Sequence, residues 1–276
     1  MNGRTENTIV IQPPSGWQFI DLKELKQYSD LFFFLTWRSI KAMYAQSILG
    51  MSWAILQPLI QILLFTIIFG RVAKLSTEGI PYTLYVSVAV IPWTYVSQAI
   101  NRSSSSLVAG QGMLGKVYFP RIIFPLSGVI SKLIDFTISL TILVFILFYY
   151  QIRISWGIFL LPLFMLHMIA TSASIGIWLS ALAIRFRDVN HAMTFGIRML
   201  MYTAPIVYSA STIPDKYRFF YSLNPIVGII EGFRACLLGL PIPWMYIVPG
   251  MGITTIILVA GCFYFKRMEH TFVDVI

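Results

Sequence analysis

The chain has 276 residues, 57% of them hydrophobic and 11% charged, with a formal net charge of +9. Soluble domains carry about 25% charged residues, so this composition excludes a globule covered by a hydrated surface and leaves lipid to do the covering. A pI near 9.6 would suit nucleic acid, but the Lys and Arg residues stand at the ends of apolar segments rather than in one patch. Such positions set orientation in a membrane and exclude a nucleic-acid interface.

In chain order, residues 1–12 are polar and lack the apolar core of a cleavable leader. Residues 17–45 read as an amphipathic helix. Asp21, Lys23, Glu24, Lys26 and Gln27 alternate with Leu22, Leu25 and Tyr28, and the apolar run Leu31–Leu35 leads to Arg38 and Lys41. A helix of this kind lies in the membrane interface. It is either a polar tail anchoring the first span, or a helix that docks a cytoplasmic partner or closes a channel.

A spanning helix needs roughly 20 mostly apolar residues. Six stretches qualify, at about 53–73, 82–101, 122–150, 156–184, 190–211 and 244–265. Residues 217–239 are semi-apolar and contain Asn224-Pro225, Gly228, Glu231, Gly232 and Arg234. Those charges and breakers fit a re-entrant or interfacial helical pair, provided protein buries the irregular backbone. The fold expected is therefore an all-α integral membrane protein of six transmembrane helices. It has a cytoplasmic N-terminal segment over residues 1–45 that carries the amphipathic interfacial helix, and a transmembrane domain over 46–276 with an external re-entrant segment before the last span. Six spans put both termini on one side, and the inner loops then hold roughly twice the Lys and Arg of the outer ones, which favours cytoplasmic termini. A seventh span at 217–239 would flip the C-terminus.

Gly110-Gln-Gly-Met-Leu-Gly115-Lys116 has the spacing of a phosphate-binding loop. Val117 follows where a Mg²⁺-holding hydroxyl is needed, and no strand precedes it. The chain is therefore expected not to hydrolyse ATP itself, which leaves the nucleotide to another subunit. Cys236 and Cys262 are isolated, and His167, His191 and His270 have no matched Cys or carboxylate nearby in sequence. No catalytic or metal constellation is expected.

Intramembrane charges are expensive and usually functional. Lys132 and Asp135 lie three apart on one helix face and can neutralise each other. Arg198 could pair with Asp135, face a water-filled cavity or snorkel to headgroups. Gln57 and Gln61 share one face of the first span with Trp53, giving a polar–aromatic stripe at i, i+4 and i+8. The two amides could bond across helices, sit in a dimer seam or face a polar substrate. Trp17, Trp156 and Trp244 read as interfacial belts. Deeper aromatics, with Tyr44, Trp53, Trp93 and Tyr95 as candidates, could offer flat faces to sugar C–H surfaces. Asp188 is placed to cap the fifth span.

The stretch Tyr44-Ala-Gln-Ser-Ile-Leu-Gly50-Met-Ser-Trp53 with Gln57-Pro58-Leu59 resembles the start of the first span in ABC-2 type polysaccharide export permeases. Lys116-Val-Tyr-Phe-Pro-Arg121 with Pro125 and Asp135 is similar to the loop and third span of that family. Arg185-Phe-Arg187-Asp188-Val189 resembles its loop before the fifth span, and Leu223-Asn224-Pro225 with Gly232-Phe233-Arg234 its external re-entrant region. The matches come in family order over about residues 38–267. Ala45 departs from a position often basic in relatives.

The resemblance implies the permease subunit of an exporter of a lipid-linked glycan such as an O antigen, capsule or teichoic acid. It implies a homodimer in the cytoplasmic membrane, bound to two ATPase subunits that hold ATP and Mg, with no cofactor in this chain. Tyr44, Trp53, Gln57, Gln61, Trp93 and Tyr95 are then candidates for the substrate path. Lys116, Tyr118, Arg121, Arg187 and Asp188 are candidates for contact with the ATPase. Rival readings are an ABC-2 drug or lipid exporter, which should have a narrower and more apolar cavity, and a membrane-embedded glycan-modifying enzyme, which would need carboxylates or histidines at one membrane face. A secondary transporter would need more intramembrane acids than Asp135.

Overall fold

A computed structural model describes residues 20–45, 47–77, 79–114, 118–152, 155–186, 188–269 and 272. Among these residues the ordered elements are all helical. Five helical segments are long and apolar enough to cross a membrane: Gly50–Val72, Tyr82–Ala109, Ile123–Tyr149, Trp156–Arg185 and Trp244–Glu269.

The amphipathic N-terminal region is helical as expected, but in two pieces. The first, α1 (Leu22–Gln27), starts where the Asp21 carboxylate accepts from the Lys23 and Glu24 backbone N–H groups at 2.8 and 3.3 Å. A turn at Tyr28 leads into α2 (Ser29–Tyr44). Leu35 and Ile40 face the protein, while Phe33, Phe34 and Trp37 on the other side are exposed. Bulky apolar groups left outside by the fold suit a helix lying against lipid. A sharp bend then requires Gly50 at φ +48°, where a side chain would be strained. The first span follows as α3 (Trp53–Phe65) and ends in a wider π-helical turn over Thr66–Val72.

The second span, α4 (Tyr82–Ala109), is the central helix. In its most apolar stretch 83% of residues are buried, against 17% for the first span. Around it pack α6 (Ile123–Ser131) and α7 (Leu133–Tyr149), which together form the third span; α8 (Leu161–Arg185); α9 (Val189–Thr203); and α11 (Pro225–Leu238). Between α4 and α6 lies the short α5 (Gln111–Leu114), and α10 (Asp215–Ser222) precedes α11. The last span is α12 (Trp244–Glu269), packed mainly on α8 and α11. A Cβ at Gly128 would lie 3.0 Å from the Ser103 backbone, and one at Gly176 would strike the Ser103 side chain. Small residues therefore let α4, α6 and α8 approach closely, the usual means of helix association in lipid.

Two boundaries differ from the sequence reading. The second span runs through Ser103–Ser106 instead of stopping near 101, and there Ser104, Ser105 and Ser106 return their hydroxyls to carbonyls three or four residues back, so these polar groups are satisfied within the helix. The fifth apolar stretch is helical only to Thr203, because Pro205 forces Ala204 into extended backbone at φ −89°, ψ 147°. At ~1.5 Å per residue, the 15 residues of α9 reach about 22 Å, less than the ~30 Å hydrocarbon core.

The described ends of the chain meet at one end of the bundle. Ile20 and Phe272 join one apolar cluster with Leu35, Phe119, Ile184 and Phe265.

Candidate substrate path and coupling surface

The stripe on the first span is set by the face that α3 buries. Ala54, Pro58 and Ile62 point inward at i, i+4 and i+8. Trp53, Gln57 and Gln61 each precede one of them, so they lie about 100° around the helix, at the edge of its packed face. Trp53 is 51% exposed, Gln57 is exposed and Gln61 is half-buried. Gln98 on α4 donates to Gln57 Oε1 at 2.9 Å, and Gln61 Nε2 approaches Met201 Sδ on α9 at 3.7 Å. The first and fifth apolar segments are thus neighbours along this edge, and Phe195, Met199 and Tyr202 on α9 are also exposed.

The other three path candidates sit elsewhere. Trp93 and Tyr95 are buried inside the subunit. Tyr95 donates its hydroxyl to the Val129 carbonyl at 3.2 Å and meets the Phe136 ring edge-on. Tyr95 thereby holds α4 against the third span, and both aromatics are buried away from the open edge. Tyr44, at the end of α2, donates its hydroxyl to Asp135 Oδ1. Asp135 also accepts from Lys132 Nζ at 2.9 Å, so the intramembrane pair closes as its spacing predicts and fastens the interfacial helix to the third span. Burial beside that carboxylate pushes the Tyr44 hydroxyl pKa above its ordinary value. Asp135 makes no pair with Arg198, which is exposed and takes part in none of the ion pairs among the described residues.

Of the coupling candidates, Lys116 and Arg187 lie outside the described residues. Tyr118 is 76% exposed and donates to Glu24 Oε1 on α1 at 3.2 Å. Partial burial, then Glu24, pushes its hydroxyl pKa up. Arg121 binds Glu269 through its backbone N–H at 3.0 Å and also through its guanidinium, and Lys266 Nζ lies 2.8 Å from Glu269 Oε2. The 118–121 loop is therefore joined to the interfacial helix on one side and to the last span on the other. Asp188 follows Ile184, which belongs to the apolar cluster beneath this loop, so the two loops share one end of the bundle. Asp188 occupies the capping position but its side chain makes no capping bond. Its backbone is already helical (φ −69°, ψ −18°), which corrects the expected side-chain cap.

A constellation that sequence reasoning missed lies toward the opposite end. Arg234 is fully buried. Its guanidinium pairs with Glu231 at 2.8 Å, donates to the Ile206 and Tyr208 carbonyls at 3.0 and 3.5 Å, and stacks 3.7 Å from the Tyr85 ring centroid. Tyr82 donates to the Val207 carbonyl at 2.8 Å, Tyr85 to that of Tyr208 and Tyr246 to that of Ala210, both at 3.3 Å. Irregular backbone at membrane depth is tolerated only when protein satisfies it. Here one arginine and three tyrosines do so for residues 206–210. The signal available in the sequence was Glu231 three residues before Arg234 in an apolar run.

His167 resolves as a packing residue, bonded through Nε2 to Thr254 Oγ1 at 3.2 Å, with Thr171 alongside. Among the described residues no cluster of three His, Cys, Asp or Glu could hold a metal. Gly110 ends α4, so the phosphate-loop spacing follows a helix rather than a strand.

A bundle of long apolar helices, with a polar–aromatic edge on its most exposed span and charged loops at one end, defines a multi-pass membrane transport subunit. The sequence profile of the ABC-2 type transporter family matches residues 30–238, and the chain belongs to that family. It is similar to the O-antigen export system permease protein RfbA of Klebsiella pneumoniae, 26% identical over 90% of this chain and 95% of the relative. It is 27% identical to the protein of the same name from Myxococcus xanthus, over 78% and 82% of the two chains. It is also 23% identical to the polysialic acid transport protein KpsM of Escherichia coli, over 73% and 78%.

Proposed function

We propose that this chain is the permease subunit of an ATP-driven exporter that moves a lipid-linked polysaccharide across the cytoplasmic membrane. It works as a homodimer with two copies of an ATPase subunit, which binds ATP and Mg; this chain needs no cofactor. The relatives named for O-antigen and polysialic acid transport support the substrate class. The observation that carries the mechanism is the exposed edge of Trp53 and Gln57, with Gln61 beside them, on a span that its own subunit scarcely buries. A long hydrated chain cannot be released into hydrocarbon, and exposed amides in lipid cost on the order of 2 kcal/mol or more each. An edge of this kind belongs on an enclosed path, completed by α3 and α9 of a second copy.

The clustering of Ile20 with Phe272 supports an even number of crossings with both termini on one side, and the excess of Lys and Arg in the loops on that side favours the cytoplasm. In this reading α9 and the extended residues after it make the fifth of six crossings, while α10 and α11 re-enter from the outside. ATP-driven closure of the partner would press on α1, α2 and the 118–121 loop. Because Glu24, Arg121 and Glu269 join these elements to the last span, the helices would move as rigid bodies.

Deleting the gene tests the reading. Surface polysaccharide should disappear while the lipid-linked precursor accumulates inside, and restoring the gene should reverse both. Unchanged surface polysaccharide would overturn the export reading.

A further inference from the structure

The end of the bundle that carries the described termini contains a cavity of about 150 Å³, bounded by α2, the last turns of α4 and the start of α6. One water needs about 10–15 Å³, so the space admits a larger polar group. Arg38 and Ser39 reach it from α2, and Arg102 and Ser106 from α4. No carboxylate lines it, and neither arginine joins any of the ion pairs among the described residues. Arg102 Nη2 reaches Ser39 Oγ at 3.5 Å, and Arg38 Nη1 reaches the weak acceptor Met113 Sδ at 3.2 Å. Each guanidinium carries five N–H donors, so most of them have no partner among the described residues. The carbonyl end of α4 is close by, at Ala109 and Gly110, but neither arginine bonds a carbonyl there.

Two cations sharing one cavity repel each other, more strongly at the edge of a low-dielectric medium than in water. An anion between them removes the conflict, and the planar forks of two arginines match the oxygens of a phosphate. The depth selects the source of that phosphate. On the same helix Phe33, Phe34 and Trp37 are exposed apolar groups, which places the cavity at the level of lipid headgroups.

We infer that Arg38, Arg102 and Ser39 form a binding site for the phosphate of a lipid headgroup. Two sources share that chemistry: an anionic phospholipid, and the phosphate or diphosphate linkage of a lipid-linked glycan. Only the second rests on the export reading.

Binding to the purified full-length protein in detergent separates the cases, with farnesyl diphosphate and phosphatidylglycerol as probes and farnesol and diacylglycerol as phosphate-free controls. At least one phosphate probe should bind saturably while its control does not. Arg38→Gln with Arg102→Gln should weaken that binding at least about tenfold, or about 1.4 kcal/mol. Ser39→Asp keeps both cations but supplies an internal carboxylate, and should cause the same loss at an unchanged unfolding temperature. This second variant decides the matter if the first does not fold. Preference for farnesyl diphosphate assigns the linkage of the glycan carrier, and preference for phosphatidylglycerol assigns membrane lipid. The site is overturned if neither phosphate probe exceeds its control, or if the variants bind as the unaltered protein does. A chain that exports polysaccharide but binds neither probe loses this site alone. One that binds phospholipid without exporting keeps the site and loses the export reading.

Discussion

Gln98 on α4 donates its side-chain amide to the carbonyl oxygen of Gln57 on α3 at 2.9 Å. The bond uses the Gln57 acceptor and leaves its own NH₂ group without a partner among the described residues, at an exposed position. That asymmetry separates two roles. Gln57→Leu with Gln61→Leu should leave the complex assembled and its ATPase active, since one interhelical hydrogen bond is worth about 1 kcal/mol, yet most surface polysaccharide should be lost. Gln98→Leu removes the same bond but keeps Gln57, and should preserve export. If Gln98→Leu and the double change reduce complex recovery equally, the amides hold helices together and do not line a path.

Arg234 should be a stability residue. Removing one partner of a buried pair costs about 3–5 kcal/mol, and Arg234→Met would also strand the Ile206 carbonyl and Glu231. We expect a large drop in unfolding temperature and in yield from membranes. Arg234→Lys keeps the charge but cannot serve two carbonyls and a carboxylate, nor cover the Tyr85 ring, so it should fall between. Normal stability of Arg234→Met would refute this role.

Tyr118 is highly exposed although its hydroxyl touches Glu24. A cysteine there should crosslink to the ATPase subunit in isolated membranes. Labelling of that cysteine by a membrane-impermeant reagent in intact cells would place the loop outside and reverse the orientation.

Asp188 makes no side-chain capping bond at the start of α9, so the usual penalty for losing a cap does not apply. Asp188→Ala should change unfolding free energy by no more than about 0.5 kcal/mol, as at ordinary surface positions. Reduced recovery of ATPase with the purified variant would then report a contact with the partner. A clearly lower unfolding temperature would instead mean that Asp188 supports the helix after all.

The membrane class, the all-helical fold and the positions of the long spans were readable from sequence, because lipid requires long uninterrupted apolar runs. The Lys132–Asp135 pair was readable too, since both partners lie on one helix face and their meeting depends only on helical spacing. So was the Trp53–Gln57–Gln61 stripe.

Tertiary packing alone decided the rest. Trp93 and Trp53 are alike as aromatic residues in apolar runs. One is buried and the other exposed only because α4 became the centre of the bundle and α3 its margin. Tyr44 meets Asp135, and Arg121 meets Glu269, across 91 and 148 residues of chain, separations no local period can encode. Residues 206–210 read as the end of a spanning helix, yet Pro205 broke it. The buried arginine and tyrosines that make the break tolerable come from helices before and after it, so nothing within the segment announces them.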